Sequence, residues 1–427
     1  MAGTDFQGAP ATDSPDDPRT DRVMTPMDAD GLPGTPLPST PPPDATLPDA
    51  TPPGATPPGA TPPGPQPPSA LLSAAPGASA VVAGLYHRGQ RTFIARGSTE
   101  YEGGDPADAR TRFEIGSLTK TFTALLLAEL AARGEVGHHD SAVRHLPPGT
   151  RYPAGAEAIT LTHLATHTSG LPRLPPGLLA TAGRRLFANP YAAFTGADVL
   201  HALSRTRLRF RPGSRLRYSN FGVGLLGHAL CGAAGGGLSY EELLASRVLS
   251  PLGLSGTSCV PRAGGGDPEA TGYRRRRPRP PFAIPGMPAA GAARADARDL
   301  LAYAEALTHG AEGGGAGTST KPPGPPSAPL PGPLPAPLRT ALQDVTRPRL
   351  TMPRGRDGLA LVWNVRPLPD GSALYHHSGG TLGCTSFAGF SPRHDVALVA
   401  LANCAPEHGN TLIQEAYDAL ARLIHTA

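Results

Sequence analysis

Three consecutive copies of Ala-Thr-Pro-Pro-Gly, from Ala50 to Gly64, lie in a Pro-rich run that no packed core can accommodate. Proline removes backbone donors and the run buries almost no apolar surface, so polyproline-II or coil conformations are expected there. With the acidic start from Asp13 to Asp30, this marks residues 1–75 as a disordered tail. A second low-complexity stretch, about residues 309–336, runs through Gly313–Gly315 into Pro-rich sequence and reads as an insertion loop. A chain of 427 residues would ordinarily suggest two or three domains. Its 53 glycines and 53 prolines cluster in these coreless stretches, so one ordered domain is expected over residues 76–427.

Charge and cysteine usage narrow the partners. The run Arg274-Arg275-Arg276-Arg277-Pro278-Arg279 has no interleaved aromatics and no recognisable reader module, and the formal net charge is only +4. It reads as a solvated loop, with nucleic acid not expected as a partner. Cysteines 231, 259, 384 and 404 form no Cys-x-x-Cys pair and have no histidine at zinc spacing, so no metal site is expected. The start, Met1 to Gln7, lacks the basic and apolar regions of an export signal. The weakly apolar run Ala70–Leu85 is broken by Pro76 and too short to cross a bilayer. No membrane span and a cytoplasmic location are the resulting expectations.

Hydrophobic periodicity predicts a mixed fold. Val81–Tyr86 and Thr92–Ala95 suggest an antiparallel hairpin, and Leu359–Val365, Ala373–His377, Thr385–Phe390 and Val396–Ala402 suggest four later strands. Leu118–Arg133 puts Phe122, Leu125, Leu126 and Leu130 on one helical face, with Gly134 as the stop. Thr162–Ser250 is largely helical in character, and Leu412–Leu423 is a closing helix. Strands from both ends of the chain, with a helical region inserted between them, predict an α+β fold whose cleft lies between sheet and helices.

Two of the 38 basic residues are lysines. Lys321 lies in the low-complexity stretch, without a serine three residues earlier, and carries no catalytic weight. Lys120 follows Ser117 by one helical turn, in Gly116-Ser117-Leu118-Thr119-Lys120. Unlike arginine, lysine can lose its proton and act as a base. Ser117 falls at a helix N-terminus, where free N–H groups favour developing negative charge, and Gly116 lets another segment approach closely.

A serine nucleophile needs a base, an orienting group and an oxyanion hole. Arg217-Tyr218-Ser219-Asn220 offers a phenol and an amide just before a helical segment: Tyr218 to relay a proton with Lys120, Asn220 to hold the lysine or meet a substrate amide. By itself the triplet equally fits a capping turn. His376-His377-Ser378-Gly379-Gly380 closes a predicted strand, and its glycines permit a substrate strand to pair along that edge, with the Gly380 and Ser117 N–H groups as an oxyanion hole. By itself it equally fits a Gly-rich hairpin turn.

Taken in order, Ser117-x-x-Lys120, Tyr218-x-Asn220 and His377-x-Gly379 resemble the Ser-x-x-Lys, Tyr-x-Asn and Lys/His-x-Gly elements of the serine β-lactamase and penicillin-binding protein superfamily, in its class C β-lactamase, D,D-peptidase and esterase branch. Thr162–Pro172 is similar to the same family, and there His167 reads as a structural residue of a turn near the cleft. The resemblance implies a β-lactamase/transpeptidase-like fold: an antiparallel sheet flanked by terminal helices, with an inserted helical subdomain.

It also implies acyl transfer without metal or organic cofactor: Ser117 attacks a carbonyl, Lys120 and Tyr218 manage the proton, and Asn220, His377, Ser378, Gly379 and Gly380 bind substrate and oxyanion. The expected partner is a small-molecule or peptide-like substrate: an ester, a D-amino-acid amide or peptide, or a β-lactam. His377 stands where many β-lactamases carry a lysine, which weakens a specific β-lactamase reading but not a hydrolase reading. The alternative from another class is a catalytically idle binding or sensor domain on the same fold.

Overall fold

The computed structural model describes residues 65–183, 189–261, 267–310, 333–351 and 357–425. Strands are β1 Ala80–His87, β2 Gln90–Gly97, β3 Phe113–Glu114, β4 Tyr273–Arg274, β5 Arg277–Pro278, β6 Arg294–Ala295, β7 Leu350–Thr351, β8 Gly358–Leu359, β9 Asn364–Pro367, β10 Ala373–Gly380, β11 Thr385–Ser391 and β12 Val396–Ala402. Helices are α1 Thr119–Ala132, α2 Leu161–Ala165, α3 Leu178–Ala182, α4 Gly196–Ser204, α5 Asn220–Ala234, α6 Tyr240–Leu244, α7 Ala297–Gly310, α8 Ala336–Asp344 and α9 Leu412–His425.

The main sheet runs β2-β1-β12-β11-β10-β9-β8-β7, with antiparallel pairing throughout. Beside the β2 edge it pairs β1 with β12, from distant parts of the chain, Val81 opposite Ala402 and His87 opposite Val396. Both faces are covered, so β1 and β12 read as near-continuous apolar runs rather than alternating ones. Val81, Ala83, Leu85, Leu398 and Ala400 pack with Leu412, Ala416 and Leu420 of α9. Val82, Tyr86, Val399 and Leu401 belong to the larger core with Leu300, Ala304 and Leu307 of α7. Beyond α7, helices α1, α2, α4, α5 and α6 extend that core into the helical region.

The hairpin and the closing helix fall where the periodicity places them. Leu359–Val365 is not one strand: β8 and β9 are separated by a turn in which Val362 takes a left-handed φ of 70°. That turn buries Trp363 completely against Tyr303 and Phe390. The strand predicted to end at His377 continues through Gly380. Helix α1 is buried on every side from Thr119 to Leu130, not on one face. Its threonines tie it to the segment beside it: Ala293 N–H donates to Thr119 Oγ1 (3.0 Å) and Thr123 Oγ1 donates to Ala289 O (2.8 Å).

Residues 1–64 of the expected tail lie outside the described residues. Within the remainder, Leu71, Ala74 and Ala75 are buried on the α9 side of the sheet, so packing begins ahead of the expected boundary at 76. Most of the expected insertion, residues 311–332, is likewise outside the described residues, while His309 closes α7 and Ala336 opens α8. The arginine run forms the β4–β5 hairpin, with Arg275 and Arg276 at its tip in left-handed conformations. No helix among the described residues is long and apolar enough to cross a membrane.

The start of α7 carries two buried carboxylates. Asp296 Oδ1 accepts from Asp299 N–H (2.7 Å), and Thr257 Oγ1 donates to Asp299 Oδ2 (2.8 Å). Burial, then the charge of Asp299, pushes Asp296 up to about 7. Between the ordinary carboxylate value near 4 and this raised one, the native state binds a proton that the unfolded chain does not, so its stability falls as pH rises through that window. Asp296→Asn keeps the capping acceptor and removes the titration. Urea melts should show the variant more stable than the parent at pH 8, on the order of 3 kcal/mol, with the gain vanishing towards pH 4. A pH-independent difference would contradict this.

Candidate active site

Gly116 takes φ 50° and opens the single 3-10 turn Gly116–Leu118 that feeds α1. A Cβ there would lie 2.5 Å from Gly380 O, so the turn and the end of β10 approach as only a glycine allows. Gly379 is tighter still: a Cβ would meet Ile115 O at 2.0 Å and Leu118 N at 2.9 Å. Ser386 Oγ donates to Ile115 O (2.8 Å) from the neighbouring strand. A buried network secures the same junction. Thr381 Oγ1 donates to Glu114 Oε2 (2.6 Å), and the Arg294 guanidinium donates to Glu114 Oε1 (2.9 Å). Ser117 is therefore pinned between helix and sheet.

Two side chains meet at its hydroxyl. Lys120 Nζ lies 3.0 Å from Ser117 Oγ, and Tyr218 Oη lies 2.7 Å from it. The amine also donates to Ala290 O (2.6 Å), a main-chain partner with no sequence signature. Lys120 is completely buried. Burial, followed by the Arg173 guanidinium, holds its amine well below the usual lysine range, which favours the neutral form. Burial pushes the Tyr218 phenol up, so it too is neutral. Lys120 Nζ thus bonds both Ser117 Oγ and the Ala290 carbonyl, and in the Ser117–Tyr218 pair either hydroxyl can be the donor.

Tyr218 comes from the loop before α5. Ser219 caps that helix, its Oγ accepting from Gly222 N–H (2.8 Å) and donating to Pro172 O (2.7 Å). The Asn220 amide does not reach Lys120; its Nδ2 donates to Tyr191 Oη at 3.4 Å, and its Oδ1 is buried without a protein partner. Holding the lysine thus falls to Ala290. Tyr191 and Arg173, whose guanidinium carbon lies 5.5 Å from the Tyr218 ring centroid, are site neighbours that sequence reasoning missed. Arg173 directly follows the Gly170-Leu171-Pro172 stretch and could have been flagged there, whereas nothing local marks Tyr191.

Strand pleating sorts the His-His-Ser-Gly-Gly segment. His376 stacks near Phe387 and Tyr417 on the α9 side, while His377 is in register with Ala388 of the larger core. Burial, then the neighbouring Lys120, pushes His377 down to about 3, so it is a neutral imidazole. Ser378 alternates away from His377 and Gly379, in register with Phe387. Pairing of β9 with β10 stops at His376, and among the described residues no strand pairs with His377–Gly380 on that side.

A family model described as Beta-lactamase matches residues 68–423. The D-alanyl-D-alanine-carboxypeptidase/endopeptidase AmpH of Escherichia coli strain K12 is 36% identical over 173 residues, 40% of this chain and 43% of that protein. A beta-lactamase of the same strain is 30% identical over 174 residues, 40% of this chain and 41% of its own length. The chain thus matches about two-fifths of these curated relatives. A class C beta lactamase from Rhodobacter sphaeroides superimposes with a TM-score of 0.64 at 21% identity, covering 81% of this chain and 95% of that one, which establishes a shared fold.

Proposed function

Because the chain belongs to the Beta-lactamase family, we propose that it is a serine hydrolase working through an acyl-enzyme on Ser117. The observation that carries this is the convergence of Lys120 Nζ and Tyr218 Oη on Ser117 Oγ, at 3.0 and 2.7 Å. Ser117 Oγ attacks the substrate carbonyl carbon as its proton passes to the Lys120 amine. The tetrahedral oxyanion lies between the Ser117 and Gly380 N–H groups, with the helix N-terminus behind it. Lys120, now an ammonium, and the Tyr218 phenol return a proton to the leaving group. A water then attacks the acyl carbon, its proton taken up by the same pair, and Ser117 is freed.

The substrate class is an ester, a D-amino-acid amide or peptide, or a β-lactam. Similarity to AmpH, a D-alanyl-D-alanine carboxypeptidase/endopeptidase by name, keeps short D-peptides on that list. A neutral His377 places no charge on the strand to draw in a carboxylate, which favours acyl groups that carry none. Labelling with fluorescent penicillin and with a fluorophosphonate tests the proposal. Wild type should be labelled by at least one probe and Ser117→Ala by neither; a wild type left unlabelled by both would favour the idle binding domain.

A further inference from the structure

His167 follows the turn after α2 and has its backbone at φ 57°, a left-handed conformation that costs a non-glycine residue. Three contacts account for holding it there. Its carbonyl accepts from Arg217 N–H at 2.8 Å. Its Nδ1 accepts from Ser219 N–H at 3.2 Å. Between those two anchors its ring packs on Tyr218, with centroids 4.4 Å apart and planes at 42°. One residue therefore grips the main chain on both sides of the phenol and the phenol's own face.

The Ser219 bond also decides the tautomer. A backbone N–H can donate only to an unprotonated nitrogen, so Nδ1 is the acceptor and the proton of the neutral ring sits on Nε2. Nε2 is buried with no protein partner, in a side chain that is 5% exposed. Burial pushes the ring's pKa well below the usual histidine value and so keeps it neutral. A histidine serving only the fold would be expected to have both nitrogens bonded.

We infer that His167 is a positioning residue of the acyl-transfer site: it holds the Tyr218 hydroxyl at hydrogen-bonding distance from Ser117 Oγ through a bracket on residues 217 and 219. This rests on the serine-hydrolase reading above, and it alters the sequence-based expectation of a turn residue with a structural role alone.

His167→Asn is the informative variant, because asparagine tolerates the left-handed backbone and its Oδ1 can accept from Ser219 N–H, while the ring against Tyr218 is lost. Fluorophosphonate labelling rates and p-nitrophenyl butyrate kinetics should show kcat and the labelling rate down by ~30-fold, with KM within about threefold. The same change in a Tyr218→Phe background should cost less than about threefold, since the group it positions is gone. His167→Phe keeps a ring and loses the Nδ1 acceptor; it should fall between the parent and His167→Asn, and it replaces that variant in the cycle if the latter is recovered unfolded. A folded variant with parental rates overturns the inference, as does an equal loss in the Tyr218→Phe background. Persistence of labelling in Ser117→Ala would instead overturn the serine-hydrolase reading.

Discussion

Lys120→Arg should lower kcat/KM for p-nitrophenyl esters by ~10³-fold or more, since general-base catalysis contributes ~10²–10⁴ and a guanidinium cannot supply it. The amine at this position is completely buried and faces Ala290 O and Ser117 Oγ, with no carboxylate bonded to it. Desolvation therefore lowers its pKa and favours the form whose lone pair can take the serine proton. Arginine retains its proton throughout the accessible range, so raising the pH should not restore the variant. In the parent, the sign of the lysine shift predicts that the acid-side fall in rate lies below the ordinary lysine range near 10.4. Steady-state kinetics from pH 6 to 10 check both statements. Activity in Lys120→Arg that recovers at high pH would argue that some other group is the base.

Gly379→Ala is expected to be nearly as damaging, for a steric reason. The added methyl would sit 2.0 Å from Ile115 O, 2.6 Å from Ser386 Oγ and 2.9 Å from Leu118 N. Two of these are main-chain atoms flanking the Ser117 turn, so no rotamer change relieves the clash. β10 must part from the turn, and the Gly380 N–H moves away from the nucleophile. Overpacking of this kind costs about 1–3 kcal/mol, and loss of one oxyanion donor lowers acylation by ~10²-fold. Gly77→Ala is the control, because a Cβ there meets nothing closer than 3.8 Å. Chemical denaturation with acylation rates measured on both variants reads the two effects separately. A Gly379→Ala protein with parental acylation would break the proposed link between this strand and the oxyanion.

Ser117, Lys120, Tyr218 and the His377-x-Gly379 element were legible because their chemistry is rare or their spacing is local. One helical turn separates a serine from a lysine in a chain with two lysines, and a pair of glycines announces a close approach. Asn220 and Ser378 were legible as motif members but not in what they touch. The amide turns to Tyr191, and the hydroxyl takes the other side of the strand. The break at Val362 was invisible to periodicity, since burying Trp363 overrides the local strand preference of Leu359–Val365.

By its sequence alone, the chain determined which elements form and which residue types can do chemistry: period-two and helical apolar patterns are local, and so is the step from Ser117 to Lys120. Only the tertiary structure decided protonation states and partners. A lysine loses its usual basic pKa when α1 is enclosed on every side, and its amine donates to Ala290 O, 170 residues away. A histidine in a turn becomes a clamp when residues 217 and 219 fold onto it. Desolvation and long-range main-chain contacts depend on the packed volume around a group, and no local pattern encodes that volume.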